Sequence, residues 1–112
     1  MNQGHDNMQK CTKLCLDCHT ECQEMLFNYC LPTGGKHVEA EHVKLMTDCI
    51  QACQAAADFM SRNSKFYASE CSACADVCEA CADSCDRLGD EKMKRSAEIC
   101  RKCAQSCREM GK

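Results

Sequence analysis

The cysteines of this chain repeat with the period of an α-helix. Those at positions 71, 74, 78, 81 and 85 follow one another in steps of 3, 4, 3 and 4 residues, which places their side chains on one face of a helix. The same steps recur in three other segments, at Cys11, Cys15, Cys18 and Cys22, at Cys49 and Cys53, and at Cys100, Cys103 and Cys107. The sequence therefore predicts four helices whose inner faces consist largely of thiols.

Ordinary core residues are scarce in this sequence. Leu (6), Ile (2), Val (3) and Phe (3) together make 14 of 112 residues, well under the roughly one-fifth level below which a highly charged chain is usually disordered. The chain carries 15 Cys and 7 Met instead, and a free cysteine packs as a small hydrophobic residue. We therefore expect one folded domain spanning residues 1–112.

The thiols are expected to remain unpaired. Residues three or four apart on a helix have Cβ atoms about 5–6 Å apart, whereas a disulfide needs about 3.5–4.5 Å. The number of cysteines is odd, and the polar amino terminus lacks the basic and apolar segments of a secretory signal. We expect a cytoplasmic protein with reduced thiols, because disulfides are rare in that compartment.

Charge and hydropathy argue against two classes of partner. The net charge is −3 and aromatic residues make up 4% of the chain, whereas a nucleic-acid surface normally shows a basic excess with interleaved aromatics. No segment approaches the roughly 18 apolar residues of a membrane span. We expect binding neither to nucleic acid nor to a membrane.

Turn signals divide the chain into helices at about 5–31, 37–61, 65–88 and 91–110. Pro32, followed by a glycine pair, is expected to end the first helix near Cys30 or Leu31. Ser64 is expected to cap the third helix, and Gly89 and Asp90 to separate the third from the fourth. Such short connections make successive helices antiparallel. The prediction is an all-α fold, an antiparallel up-down-up-down four-helix bundle with a thiol-lined core.

The cysteine spacing, extended along each helix, predicts the other inward residues. At one end of the bundle these are Met8, Met60, Tyr67 and Met110. At the other end they are Met25, Tyr29, His42, Met46, Leu88 and Met93, with Ser96 one turn further in. Cys30 falls one position off the pattern and is expected at the rim. The remaining histidines, His5, His19 and His37, are expected at the surface.

Several apolar residues lie beside the cysteine pattern, among them Leu16, Leu26, Phe27 and Ile50. They could widen the core stripe of each helix, as globular helices normally require. They could instead form an interface between subunits. The sequence leaves both interpretations open.

A column of reduced thiols is typical of a site for soft metal ions, because thiolate and thioether select Cu(I), zinc or iron–sulfur clusters. Many thiolates in a dry interior are costly unless their charge is neutralised. A divalent ion held by four thiolates leaves a charge of −2, whereas bridged Cu(I) can approach one ion per thiolate. Charge therefore favours many Cu(I) ions per chain. Zinc or another soft metal, and a redox protein that uses metal or thiols, remain the alternatives.

Four segments carry a resemblance to a known family: CLDCHTEC at 15–22, CIQAC at 49–53, CSACADVCEAC at 71–81 and CRKCAQSC at 100–107. In this order they resemble the four-helix-bundle copper storage proteins, in particular the bacterial cytosolic branch that lacks a leader peptide, over about residues 8–110. The resemblance implies storage of many Cu(I) ions without enzymatic activity, assembly as a homotetramer, and Cu(I) ligation by the matched cysteines. Copper chaperones and small-molecule thiols are the expected partners.

The sequence departs from the family at one end, where Met25, His42, Met93 and Ser96 stand at positions that tend to be cysteine or histidine in relatives. Neutral donors should hold copper less tightly than thiolates do, so we expect copper to enter and leave here. The predicted Cu(I) ligands are Cys11, Cys15, Cys18, Cys22, Cys30, Cys49, Cys53, Cys71, Cys74, Cys78, Cys81, Cys85, Cys100, Cys103, Cys107, Met25, His42, Met46 and Met93.

Overall fold

Four long helices form an antiparallel bundle in the computed structural model, which describes residues 3–112. They are α1, Gln3–Met25; α2, Ala40–Ser61; α3, Tyr67–Leu88; and α4, Glu91–Met110. Helix α1 packs against α2 and α4, and α3 packs against the same two helices. The four helices therefore surround one core in a body of 48 × 20 × 20 Å. The predicted all-α, up-down-up-down four-helix bundle is confirmed.

The first helix does not stop before its proline. It continues past α1 through a π-helical turn, Leu26–Cys30, and a last α-helical turn, Leu31–Thr33, which contains Pro32. The prediction that Pro32 ends the helix near Cys30 or Leu31 is therefore wrong, since the helix runs through the proline to Thr33. A π turn is a wider turn that can take up the ring and the missing N–H of a proline. The chain then reverses at Gly34, whose φ of 74° favours glycine, and a 3-10 turn, Gly35–Val38, leads into α2.

The π turn also changes which residues face the core. Because it holds more residues than an α turn, steps of four residues keep Cys22, Leu26 and Cys30 on the inner face. Leu26 is 1% exposed and Cys30 is 0% exposed, whereas Met25 and Tyr29, both predicted to face inward, are half-buried. The prediction that Cys30 lies at the rim is wrong for this reason.

The other helix boundaries depend on local turn chemistry. Helix α3 begins at Tyr67 rather than directly after Ser64, whose Oγ accepts the backbone N–H of Phe66 at 3.1 Å within the turn. Gly89 ends α3 in the left-handed conformation with φ of 83°, as predicted from its position. Asp90 stands at the first position before α4, but its side chain makes no capping hydrogen bond there.

The core contains residues other than the regularly spaced cysteines. Met46, Met60, Met93, Ser96 and Leu88 are buried as predicted. At the end of the bundle near the start of α1, three predicted inward residues are half-buried: Met8, Tyr67 and Met110. Leu26 and Ile50 join the core, which supports the interpretation of a widened stripe for these two, whereas Leu16 and Phe27 are 40% and 56% exposed.

The outer faces of α3 and α4 are joined by ion pairs. Arg108 contacts Asp76 at 3.2 Å and Glu79 at 2.8 Å. These groups are exposed to solvent, so the ion pairs add little to stability. None of the helices within residues 3–112 is both long enough and apolar enough to cross a membrane.

Candidate metal centre

The interior of the bundle is a column of thiols. All 15 cysteines are free and 0% exposed. Among the described residues, the buried polar side chains other than cysteine are His37, His42, Ser84 and Ser96. No lysine or arginine therefore accompanies the thiols in the described part of the core, and thiolates formed there would need metal ions to neutralise them.

Sulfur atoms gather into four groups, within each of which all the sulfurs lie within 4.8 Å of one another. From the start of α1 inward, these groups are Cys11, Cys71 and Cys107; Cys15, Cys74, Cys103 and Cys107; Cys18, Cys53, Cys78 and Cys103; and Cys18, Cys22, Cys49 and Cys100. Each group shares one cysteine with the next, first Cys107, then Cys103, then Cys18. The groups therefore form one continuous series along the bundle.

Contacts between sulfurs occur both between helices and within them. Cys15 and Cys107 bring their sulfurs to 3.4 Å across α1 and α4, and Cys74 and Cys78 bring theirs to 3.8 Å within α3. A metal–thiolate bond is about 2.3 Å long, so one ion can join two sulfurs up to about 4.6 Å apart. The groups can accept soft ions with little movement of the helices.

Toward the other end of the bundle, thiols give way to mixed donors. Met46 on α2 places its Sδ 3.5 Å from Cys81 Sγ and 3.6 Å from Cys85 Sγ. Beyond it, Cys30 Sγ lies 3.6 Å from His42 Nε2 and 3.7 Å from Met93 Sδ. The structure thus brings three of the four predicted non-cysteine ligands next to thiols.

A hydrogen bond at Nδ1, the ring nitrogen that faces away from Cys30, holds the imidazole of His42 in position. Nδ1 lies 2.9 Å from Ser84 Oγ, which in turn accepts a hydrogen bond from Arg87 at 3.3 Å. When Nδ1–H donates to Ser84, Nε2 carries the lone pair that faces Cys30. A metal-ligating histidine is usually oriented in this way. Ser84 was not identified from the sequence, because serine on a cysteine-rich face carries no signal of its own.

Two other positions at this end differ from the thiol column. Met25, the fourth predicted non-cysteine ligand, is half-buried and packs against the core. Ser96 is fully buried, and its hydroxyl donates to Glu21 at 3.2 Å. Ser96 is therefore satisfied by a carboxylate rather than directed at a thiol.

Two of the three histidines predicted at the surface are buried or half-buried instead. His37 is only 7% exposed, and its Nε2 lies 3.0 Å from a carboxylate oxygen of Asp90. His19 is half-buried with Nδ1 2.7 Å from the backbone carbonyl of Ile50, whereas His5 is exposed as predicted. The surface predictions for His37 and His19 are wrong because each imidazole contacts a group on another segment of the chain. Helical spacing cannot show such a contact.

The surroundings of several thiols raise their pKa and favour the protonated form in the absence of metal. Neighbouring thiols, Cys103 first, raise the pKa of Cys53 above its ordinary value, and burial acts in the same direction. Burial raises the pKa of Cys30 to about 11, helped by the negative charge of Asp90. Burial also lowers the pKa of His42, so its imidazole is neutral at pH 7. Metal binding to Cys30 and Cys53 must therefore release their protons.

The raised pKa of Cys30 predicts how the metal-free protein responds to alkali. A folded-state pKa of about 11 against an ordinary value of 9.0 contributes stability that is fully present below pH 9.0 and is lost as the pH rises toward 11. In thermal melts across this range, the wild type should lose more stability than the Cys30→Ala variant. Parallel losses in the two proteins would show that this thiol is not responsible.

Several known proteins resemble this chain in sequence, and the solved structures among them resemble it also in fold. A solved protein of Nitrosospira multiformis is 42% identical, with a TM-score of 0.90 over 95% of each chain. A cytosolic copper storage protein from Streptomyces lividans, solved with five coppers, is 30% identical, with a TM-score of 0.87 over 96% of this chain and 94% of that one. An uncharacterized cysteine-rich protein of Bacillus subtilis is 31% identical over 69 residues, which are 62% of this chain and 63% of that protein's length.

The family comparison covers almost the entire sequence. The model of the family described as copper storage protein matches residues 4–112. This range contains all four thiol groups and the mixed donors at the far end of the bundle. The chain belongs to the copper storage protein family.

Proposed function

We propose that this protein stores Cu(I) ions along the axis of its helical bundle. The observation that carries the proposal is the series of four sulfur groups joined by the shared residues Cys107, Cys103 and Cys18. A bridging thiolate can hold two ions at once, so shared sulfurs allow adjacent groups to fill as one cluster. A protein with a single metal centre has no need of such a series.

Charge supports Cu(I) over zinc as the stored ion. Each zinc held by four thiolates would leave a net charge of −2 in a core where the described residues supply no lysine or arginine. One Cu(I) per thiolate leaves no net charge. Sulfur donors also suit Cu(I) among the ions available to proteins.

The proposed ligands are the 15 cysteines together with Met25, His42, Met46 and Met93. The thiol groups would hold most of the copper. The contacts of Cys30 with His42 and Met93 support a mixed site at the far end. Thiolate, imidazole and thioether around Cu(I) form a neutral centre with one thiolate, which should hold its ion less tightly than a thiolate cluster does.

The setting of this activity is also a proposal. We place the protein in the cytoplasm, supported by the Streptomyces relative that is named as cytosolic. Copper chaperones or small thiols would supply and remove the copper, and the stored ions would take part in no catalysis. A homotetramer is proposed by resemblance, with exposed apolar residues such as Phe27 and Leu31 available for contact.

A competition titration tests storage against the alternatives. Anaerobic Cu(I) is added in the presence of a chromogenic Cu(I) chelator, and the same protein is titrated with zinc. Storage predicts many tight equivalents of Cu(I) with no visible absorption, and displacement of zinc by Cu(I). One redox-active centre, or zinc that resists displacement, would support a redox or zinc protein instead.

The mixed donors should govern how fast copper moves. Replacing Met25, His42 and Met93 together by Leu removes neutral donors and leaves all 15 thiols, so most of the capacity should remain. Copper uptake and removal by a chelator should both become slower, which stopped-flow transfer measures. A Met8→Leu and Met60→Leu variant, altered at the opposite end, is the control. Equal rates in the wild type and the triple variant would mean that these residues serve packing alone.

A further inference from the structure

A network of polar side chains closes the end of the bundle above the mixed donors. Asp90 stands where a helix-capping residue is expected, yet its carboxylate makes no capping hydrogen bond to α4. One of its oxygens accepts a hydrogen bond from the hydroxyl of Tyr29, and the other lies 3.0 Å from Nε2 of His37. A capping interaction is thus replaced by two bonds to distant parts of the chain.

The network has further contacts that hold it together. The rings of Tyr29 and His37 meet edge to face, with centroids 5.4 Å apart. The ammonium of Lys92 lies 4.8 Å from the centroid of the Tyr29 ring. We call Tyr29, His37 and Asp90 the end latch. It joins the π turn, the 3-10 turn Gly35–Val38 and the connection between α3 and α4.

Each member of the end latch is close in sequence to a proposed copper ligand. Tyr29 immediately precedes Cys30, Asp90 lies three residues before Met93, and His37 lies five before His42. These ligands are at most 3% exposed. An ion cannot reach them from solvent in the closed structure, so a segment of this end must move.

The segment best suited to move is the 3-10 turn. It begins at Gly35, which like the preceding Gly34 has a positive φ. Three backbone bonds link the turn and its flanking residues: Gly34 N–H to Cys30, His37 N–H to Gly34 and Glu39 N–H to Lys36. His37 is its buried residue. Opening such a segment costs far less than unfolding the bundle.

We propose that the end latch is a gate for copper, which exchanges with the site formed by Cys30, His42 and Met93 only when the bonds of Tyr29 and His37 to Asp90 break and the 3-10 turn moves away. This inference rests on the proposed storage function and adds a means of controlling how fast copper exchanges. The gate limits how often copper reaches the mixed donors, and the thiol groups set the capacity.

Two substitutions test the gate without touching a proposed ligand. Tyr29→Phe and His37→Phe each remove one hydrogen bond to Asp90 and keep an aromatic ring. The loss of one hydrogen bond to a charged group should favour the open state by about tenfold. Removal of Cu(I) by a chelator too large to enter the bundle should accelerate by a similar factor, with the number of bound ions unchanged.

Hydrogen exchange at the amides of residues 34–39 provides a second measurement, because it reports opening of the turn directly. These amides should exchange faster in both variants, in proportion to the faster removal of copper. Faster exchange with an unchanged rate of copper removal would overturn the proposal, since the turn would then open without controlling copper. Unchanged values of both quantities would also overturn it.

Arg108→Gln is the matched control. It removes the ion pairs of Arg108 with Asp76 and Glu79, which join α3 and α4 near the opposite end of the bundle. The control should release copper at the wild-type rate. An equal acceleration in this variant would assign the effect to general loosening of the bundle and overturn the gate. A wild-type protein that binds few Cu(I) ions would instead contradict the storage function itself.

Discussion

Loading with Cu(I) is expected to raise the thermal midpoint of this protein by tens of degrees. A ligand that binds only the native state stabilises it by about 2.7 kcal/mol per independent site when free ligand is at 100 times Kd. Several filled sites multiply this value, and about 1 kcal/mol shifts the midpoint of a domain of this size by several degrees. Circular dichroism melts of the metal-free and loaded proteins under anaerobic conditions measure the shift.

The metal-free protein should nevertheless be folded and helical. Neutral thiols, methionines and alanines already fill its core, with Leu26 and Ile50 added at the edges, so no metal is needed to bury the inner faces. A far-UV spectrum without helical signal in the metal-free protein, as in zinc fingers, would contradict this account. Equal melting temperatures with and without copper would contradict it as well.

Removal of shared thiols should cost more copper than removal of unshared ones. Cys18 and Cys103 each belong to two sulfur groups, and together they contribute to three of the four. Cys74 and Cys78 each belong to one. A Cys18→Ala and Cys103→Ala variant should therefore lose several bound ions, and more than a Cys74→Ala and Cys78→Ala variant that lacks the same number of sulfurs.

Both double variants should remain folded, because each substitution removes one sulfur atom from the core and leaves a methyl group, at a cost of about 1 kcal/mol. Metal counting by native mass spectrometry after anaerobic loading compares the two capacities directly, and helical content by circular dichroism confirms folding. Equal capacities would show that the ions bind as separate sites rather than along a connected series.

The period of the cysteines was sufficient to predict the helices and their inner faces, because every thiol on a regular helix follows the same steps of three and four. It failed where the helix is irregular. A regular α-helical turn puts Cys30 at the rim, whereas the π turn before Pro32 moves it into the core. The proline is the available signal in the sequence, but a proline more often marks the end of a helix than a π turn within it.

The end latch could not be predicted from local spacing. Asp90 precedes a helix, and such a residue normally caps it. The Asp90 side chain instead bonds to Tyr29 and His37. These bonds depend on the relative positions of three segments that are far apart in sequence. Ser84 beside His42 is a similar case, because its role is defined by a neighbour on another helix.

The number of Cu(I) ions bound per chain tests the central claim most directly. An anaerobic titration of the fully reduced protein, followed by a competing chelator and by native mass spectrometry, gives this number. Near-neutrality of a core with 15 thiols predicts saturation at about ten to fifteen ions. Saturation at about one to four ions, as expected of isolated metal centres, would contradict storage along a connected column of thiolates.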